Sequence, residues 1–178
     1  MNRDTIEVMG LKFAVTFDYD QDIGAPWDQA DGHGPVRIGR KHRDGESDKS
    51  PGDRPMNCAG WRETQYYYEW AEACKLARKD GWNAEPFDAP NRVQRAVQAD
   101  FDYLSAWITG DWHYVVVGVC QVDADDNEVG AWDYCGGVET YSDYHHEFAR
   151  EMAEGMAKQI TREASERAYW ESRDVETV

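Results

Sequence analysis

The sequence has no lysine or arginine between Arg95 and Arg150. The 54 residues from 96 to 149 contain 11 aspartates and glutamates, and therefore carry a formal charge of −11. The whole chain of 178 residues has 19 basic and 35 acidic side chains, a net charge of −16. Such a field repels nucleic acids and anionic membranes and attracts basic proteins. Direct binding to nucleic acid or membrane is therefore not expected.

Long apolar runs and targeting signals are also missing. Mean hydropathy is −0.83, and the longest apolar run, around Tyr114–Cys120, is far too short to cross a bilayer. The opening residues, MNRDTIEVMG, lack the apolar stretch of a secretory signal, so a cytoplasmic location is expected. No two cysteines have C-x-x-C spacing, which favours buried free thiols over disulfides. The four cysteines are Cys58, Cys74, Cys120 and Cys135.

Motifs of catalysis and cofactor binding are absent from the sequence. It contains no G-x-S-x-G nucleophile elbow, no P-loop and no G-x-G-x-x-G turn. Its carboxylates are so numerous that no pair stands out as a general acid and base. The sequence therefore predicts no catalytic residue and no cofactor, and it favours a protein that is not an enzyme.

One acidic segment partly matches a calcium loop. Asp123, Asp125 and Asn127 occupy the first, third and fifth positions of the pattern. The sixth position requires glycine and the twelfth requires glutamate, but the sequence has Glu128 and Tyr134 there. No calcium site is predicted.

The histidines do not form a local metal motif. His33, His113, His145 and Asp143 would bind a metal only if tertiary structure gathered them. The neighbours His145 and His146 point about 100° apart on a helix, so they do not easily share a metal. No metal site is predicted.

The hydrophobic patterns predict one α+β domain over residues 1–178. An antiparallel sheet of about three strands is expected to be covered by three helices on one face. Residues 20–62, which are rich in glycine and proline, are expected to form a long irregular loop whose basic part, 37–55, is mobile. The expected strands are 5–20, 112–122 and 129–139, and the expected helices are 63–80, 91–109 and 143–168.

The acidic residues are spaced in a way that favours mimicry of nucleic acid. Residues two apart in a strand lie about 6.7 Å apart on one side, and phosphates advance about 3.4 Å each along one DNA strand. A row of such carboxylates therefore matches every second phosphate and fits a basic groove. The predicted partner-binding residues are Asp18, Asp20, Asp22, Asp100, Asp102, Asp111, Asp123, Asp125, Asp126 and Glu128.

Three stretches resemble a group of small proteins encoded by tailed bacteriophages. They are GAPWDQADGHGPV, YYYEWAEACKLARKDGW and RAVQADFDYLSAWITGDWHYVVVGV, and together they cover about a third of the chain. The group has no assigned activity, so no functional residue is carried over. The resemblance implies the cytoplasm of an infected bacterium and an inhibitor of host defence, of the anti-CRISPR or anti-restriction type. The expected partner is a basic nucleic-acid-binding host protein.

Two other functions remain open from the sequence. One is a metal-dependent enzyme of phage nucleic-acid metabolism that uses His33 and His113. The other is an interaction protein that binds through exposed aromatic residues, among them Trp27, Trp132 and Trp170. The sequence does not indicate an oligomeric state.

Overall fold

The strands and helices follow the residue types of their segments. β-Branched and aromatic residues form the strands, and apolar residues at three- and four-residue steps form the helices. The computed structural model describes residues 3–29, 32–40, 50–56, 64–82 and 90–175. Its elements are β1 (Arg3–Val8), β2 (Leu11–Tyr19), β3 (Val36–Arg40), β4 (Arg54–Met56), β5 (Thr64–Tyr68), α1 (Trp70–Asp80), α2 (Arg92–Thr109), β6 (Tyr114–Val122), β7 (Asp133–Glu139) and α3 (Tyr144–Val175).

The chain forms two compact units. Unit 1 consists of residues 1–23 and 113–178, and unit 2 consists of residues 24–112. The predicted α+β class and the antiparallel pairing are confirmed. The strands of the described residues form two sheets, of four and three strands, where the sequence predicted one sheet of about three.

Unit 1 is an antiparallel sheet covered by α3. Its strand order is β1-β2-β6-β7. Alternate residues of β2 and β6 point toward α3, whose small alanines allow the helix to lie close to the sheet. The shared core contains Phe13, Val15, Val117, Val119, Ala149, Ala153 and Ala157.

The first predicted strand, 5–20, is two strands joined by a hairpin. The β-branched and apolar residues of this segment continue on both sides of Met9 and Gly10, so the pattern did not indicate the turn there. The φ angles of these two residues are 52° and 76°. Positive φ at both central residues is typical of the type I′ turn, whose twist suits a two-residue hairpin. Val8 therefore pairs with Leu11, and Arg3 pairs with Thr16.

Unit 2 has a three-stranded sheet in the order β3-β5-β4 and the helices α1 and α2. Two of these strands lie inside 20–62, which the sequence predicted to be irregular. The third strand, Thr64–Tyr68, was predicted to be the start of helix 63–80, and this was wrong. Its TQYYY sequence favours a strand, and Tyr67 and Tyr68 are both buried.

The remaining predicted elements are present, with boundaries that differ by up to seven residues. Helix 91–109 corresponds to α2 and strand 112–122 to β6. Strand 129–139 corresponds to β7, which starts at Asp133, and helix 143–168 corresponds to α3, which continues to Val175. Gly81 and Gly110 end α1 and α2 in the left-handed conformation, as helix-stop glycines do. The mobility predicted for 37–55 falls largely on residues 41–49, which lie outside the described residues.

The cysteines agree with the prediction of free thiols where the structure describes them. Cys74 and Cys120 are free and buried, and Cys135 is free and half-buried, whereas Cys58 lies outside the described residues. Burial raises the pKa of the Cys120 thiol, which disfavours the reactive thiolate. No described helix is long and apolar enough to cross a membrane.

Candidate functional site

The acidic turn between β6 and β7 is organised by Asp123. Its Oδ1 accepts hydrogen bonds from the backbone N–H groups of Asp125 and Asn127, both at 2.9 Å. The side-chain amide of Asn127 donates to Oδ2 at 3.0 Å. The hydrogen bond from this amide lowers the pKa of Asp123, and the backbone N–H of Asn127 lowers it further. Asp123 therefore shapes the loop, and its carboxylate is already engaged.

Two other acids of this loop form ion pairs. Lys12 Nζ lies 2.7 Å from Asp126 Oδ1, and Arg3 Nη1 lies 3.2 Å from Glu128 Oε1. All four side chains keep contact with solvent, so each pair contributes only about 0–1 kcal/mol. Asp125 is exposed as well. We call Asp123, Asp125, Asp126 and Glu128 the loop group.

We call Asp18, Asp20 and Asp22 the strand-end group, because Asp18 lies in the last part of β2 and Asp20 and Asp22 follow the strand. Asp20 Oδ2 accepts the backbone N–H of Gly137 at 2.8 Å, and Asp20 Oδ1 accepts that of Asp22 at 3.1 Å. Asp20 thus ties the end of β2 to β7. Asp22 is exposed and Asp18 is half-buried.

The two acidic groups lie at opposite ends of β2. Lys12, which contacts Asp126, pairs with Val122, whereas Asp18 pairs with Val116. The step from Lys12 to Asp18 spans about 20 Å at about 3.3 Å per residue. The structure therefore holds the predicted acids of unit 1 in two groups, and not in one continuous row.

The negative charge of the protein belongs mainly to unit 1. This unit has 20 acidic and seven basic side chains, a net charge of −13, whereas unit 2 has 15 and 12, a net charge of −3. If every cation of unit 1 neutralised one carboxylate of the same unit, 13 carboxylates would still lack a counter-charge. This excess is available to attract a basic partner.

Asp100 in unit 2 is not a surface carboxylate. Its side chain is only 10% exposed and accepts three hydrogen bonds. The donors are His33 Nδ1 at 2.6 Å, the backbone N–H of Gly34 at 2.8 Å and the Tyr68 hydroxyl at 2.6 Å. The prediction that Asp100 faces a partner needs correction, because Asp100 instead holds residues 33–34 and β5 against α2.

Sequence reasoning missed Tyr68 as a member of this buried cluster. Burial raises the pKa of Tyr68, and its hydrogen bond to Asp100 raises it further, so the hydroxyl keeps its proton and donates. Gly34 passes so close that a Cβ there would fall on the Tyr68 ring. A signal was present, since Asp100 is three residues after Val97 and four before Leu104, on the buried side of α2.

The other predicted acids of unit 2 are exposed. Asp102 Oδ1 accepts a hydrogen bond from Gln98 Nε2 at 2.8 Å, and Asp111 Oδ2 accepts one from Thr109 Oγ1 at 2.6 Å. Both partners are solvent-exposed or half-buried side chains of the same helical segment. Asp102 and Asp111 therefore remain accessible carboxylates.

The histidines that the structure describes lie in separate environments. His33 is bound to Asp100 and stacks on Tyr103, with ring centroids 5.3 Å apart. His113 belongs to unit 1, where its ring lies 5.4 Å from that of Tyr19. Within the described ranges, no group of three or more His, Cys, Asp or Glu side chains is arranged to hold a metal ion.

A groove of about 470 Å³ opens in unit 1 between the sheet and the start of α3. Phe17 contributes to its floor and meets the rings of His145 and His146 edge-on, each at 4.9 Å. Burial lowers the pKa of His145, and His146 lowers it further. Its charged lining residues are Asp4, Glu147 and Arg150, and this mixture of charges does not select one class of ligand.

The three tryptophans singled out from the sequence have different surroundings. Trp27 is half-buried between the rings of Tyr66 and Trp107. Trp132 is half-buried and stacks on Tyr134. Trp170 is 62% exposed, which makes it the member of this set that is best placed to contact a partner.

No protein-family model, curated protein or solved structure matches the chain.

Proposed function

We propose that the protein is a non-enzymatic inhibitor that presents the acidic surface of unit 1 to a basic, nucleic-acid-binding groove of a bacterial defence protein. The observation that carries the proposal is the net charge of −13 on unit 1. A basic groove releases bound counterions when it exchanges them for a polyanion, and this release drives binding. The charge also speeds encounter with a basic partner.

The distance between the loop group and the strand-end group can be compared with the spacing of phosphates in DNA. Their separation of about 20 Å corresponds to roughly six phosphate steps of 3.4 Å along one DNA strand. Each group then meets its own cluster of Lys and Arg in the partner. Asp126 and Glu128 exchange Lys12 and Arg3 for partner cations at little cost, because exposed ion pairs contribute only about 0–1 kcal/mol.

The proposed contact set is smaller than the predicted set of ten residues. The Asp100 side chain is only 10% exposed, and Asp20 and Asp123 use their carboxylates to hold backbone N–H groups. These three position their segments without having to touch the partner. The contact residues we propose are Asp18, Asp22, Asp125, Asp126 and Glu128, whereas Asp102 and Asp111 belong to unit 2 and stay outside this set.

The identity of the target depends on the resemblance to phage proteins. The charge distribution supports a basic partner, and a phage protein encounters such partners among the restriction and CRISPR enzymes of its host. An inhibitor of this type needs no catalytic residue.

Capture from bacterial lysate at 50 and 200 mM NaCl tests the proposal. We expect the immobilised protein to retain nucleic-acid-binding proteins, and added double-stranded DNA should compete with it and release them. Retention should fall at least about tenfold at the higher salt, because several charge contacts are lost together. Capture that does not change with salt would contradict a polyanionic binding surface.

A matched pair of variants separates specific contacts from general attraction. Asp125→Lys and Glu151→Lys change the net charge equally, and both sites are exposed. We expect Asp125→Lys to abolish capture and Glu151→Lys to leave most of it. The free energy of unfolding of both variants should stay within about 0.5 kcal/mol of that of the native protein. Equal loss in the two variants would refute a defined contact at the loop group.

A further inference from the structure

Residues 161–173 of α3 extend beyond the part of the helix that packs against the sheet of unit 1. Ala149, Ala153 and Ala157 are buried against the sheet, but every residue from Thr161 to Arg173 is exposed. Helices of 12–15 residues are marginal in water unless an apolar face is packed. We call residues 161–175 the free helix segment. The exposure of residues 161–173 favours packing against a partner.

Exposed aromatic side chains mark one region of the free helix segment. Trp170 is 62% exposed and Tyr169 is 53% exposed. The Tyr169 hydroxyl accepts a hydrogen bond from Arg173 Nη1 at 2.9 Å, and the Trp170 ring meets the Tyr169 ring edge-on, with centroids 5.3 Å apart. Tryptophan is the residue most enriched among the anchors of protein interfaces.

The charge of the free helix segment distinguishes it from the rest of unit 1. The segment has three arginines and four acids, a net charge of −1, whereas the remainder of unit 1 carries −12. Two copies of the protein repel each other over most of this unit. Contact through the free helix segment carries the least repulsion.

The residue pattern of this segment is complementary to itself. Glu163, Glu166, Trp170 and Arg173 follow one another at steps of three and four residues and so share one helix face. In an antiparallel pair centred on Ala168, Glu163 of each copy lies level with Arg173 of the other. The two Trp170 rings then lie on either side of the twofold axis. A twofold contact requires this reciprocity.

We propose that the protein forms a homodimer through this face, with Trp170 at the centre and Glu163–Arg173 pairs at both ends. The face is about 15 Å long from Glu163 to Arg173, at about 1.5 Å per residue. Such a length buries less than a standard protein interface, so the dimer is weak and its population depends on protein concentration. It does not involve the loop group or the strand-end group.

Sedimentation velocity over a range of protein concentrations tests the dimer. The native protein should show a reversible monomer–dimer equilibrium. Trp170→Ser should raise the dissociation constant at least about tenfold, as loss of an interface anchor does. Tyr134→Ser removes an equally exposed aromatic residue from another part of unit 1 and should leave the equilibrium unchanged.

A charge exchange gives a sharper criterion. Arg173→Glu places two acids opposite each other and should abolish dimers, and adding Glu163→Arg to it should restore them. Circular dichroism at 222 nm checks that each variant keeps its helix. A native protein that stays monomeric at every concentration overturns the proposal, as does a dimer that Trp170→Ser leaves intact or a double variant that stays monomeric.

Discussion

Replacing Asp100 by alanine should destabilise unit 2 strongly. The substitution removes the acceptor of three hydrogen bonds and leaves the donors of His33, Gly34 and Tyr68 without it. An unsatisfied buried donor costs about 1–3 kcal/mol, and neighbouring losses do not add fully. Breaking a buried charged network by removing one member typically costs about 3–5 kcal/mol. We expect a loss in that range.

Thermal unfolding followed by circular dichroism measures the effect. A chain of this size loses about 2–4 °C of melting temperature per kcal/mol, so Asp100→Ala should melt at least about 6 °C lower. Asp100→Asn keeps the shape and one acceptor oxygen, and should fall between the alanine variant and the native protein.

Asp102→Ala is the matched control, because Asp102 lies on the same helix but is exposed and accepts a single bond from Gln98. Its stability should stay within about 0.5 kcal/mol of the native protein. If Asp100→Ala melted like Asp102→Ala, the buried network would not be holding residues 33–34 and β5 to α2.

Two further predictions concern His145 and Gly34. The pKa of His145 is lowered in the folded protein from its ordinary value of 6.5. Between pH 6.5 and that lower pKa the unfolded chain binds more protons than the folded protein, so the free energy of unfolding decreases as the pH falls. The melting temperature of His145→Gln should therefore drop less between pH 7 and 5, and equal drops would refute this. Gly34→Ala places its Cβ on the Tyr68 ring and should cost about 1–3 kcal/mol in urea unfolding. Gly155→Ala, in open space on α3, should instead stabilise by about 0.5–1 kcal/mol, and the reverse order would contradict the packing.

Strands β2 and β6 of unit 1 were predictable because their patterns are local, although the turn between β1 and β2 was missed. Phe13, Val15 and Phe17 alternate with smaller residues, and this spacing alone indicates which side of β2 faces the core. By contrast, β5 runs almost directly into α1, and no turn residue separates them. Its strand conformation comes from pairing with β3 and β4, which the chain supplies from other places. The residue types of β5 favour a strand, but the helical spacing of Tyr67, Trp70 and Cys74 runs across its end, so the local pattern did not separate β5 from α1.

The candidate site also has features that the sequence predicts and features that depend on the fold. Which acids face solvent depends on partners far along the chain, as Asp100 shows with His33 and Tyr68, 67 and 32 residues away. Whether the acids form one row depends on the register of β2 with β6, which holds the loop group and the strand-end group about 20 Å apart. Net charge, however, is a sum over residues and does not depend on register. The electrostatic basis of the proposed function could therefore be predicted from the sequence, while its contact geometry could not. A partner should accordingly be sought by two clusters of basic residues about 20 Å apart, and not by one continuous basic track.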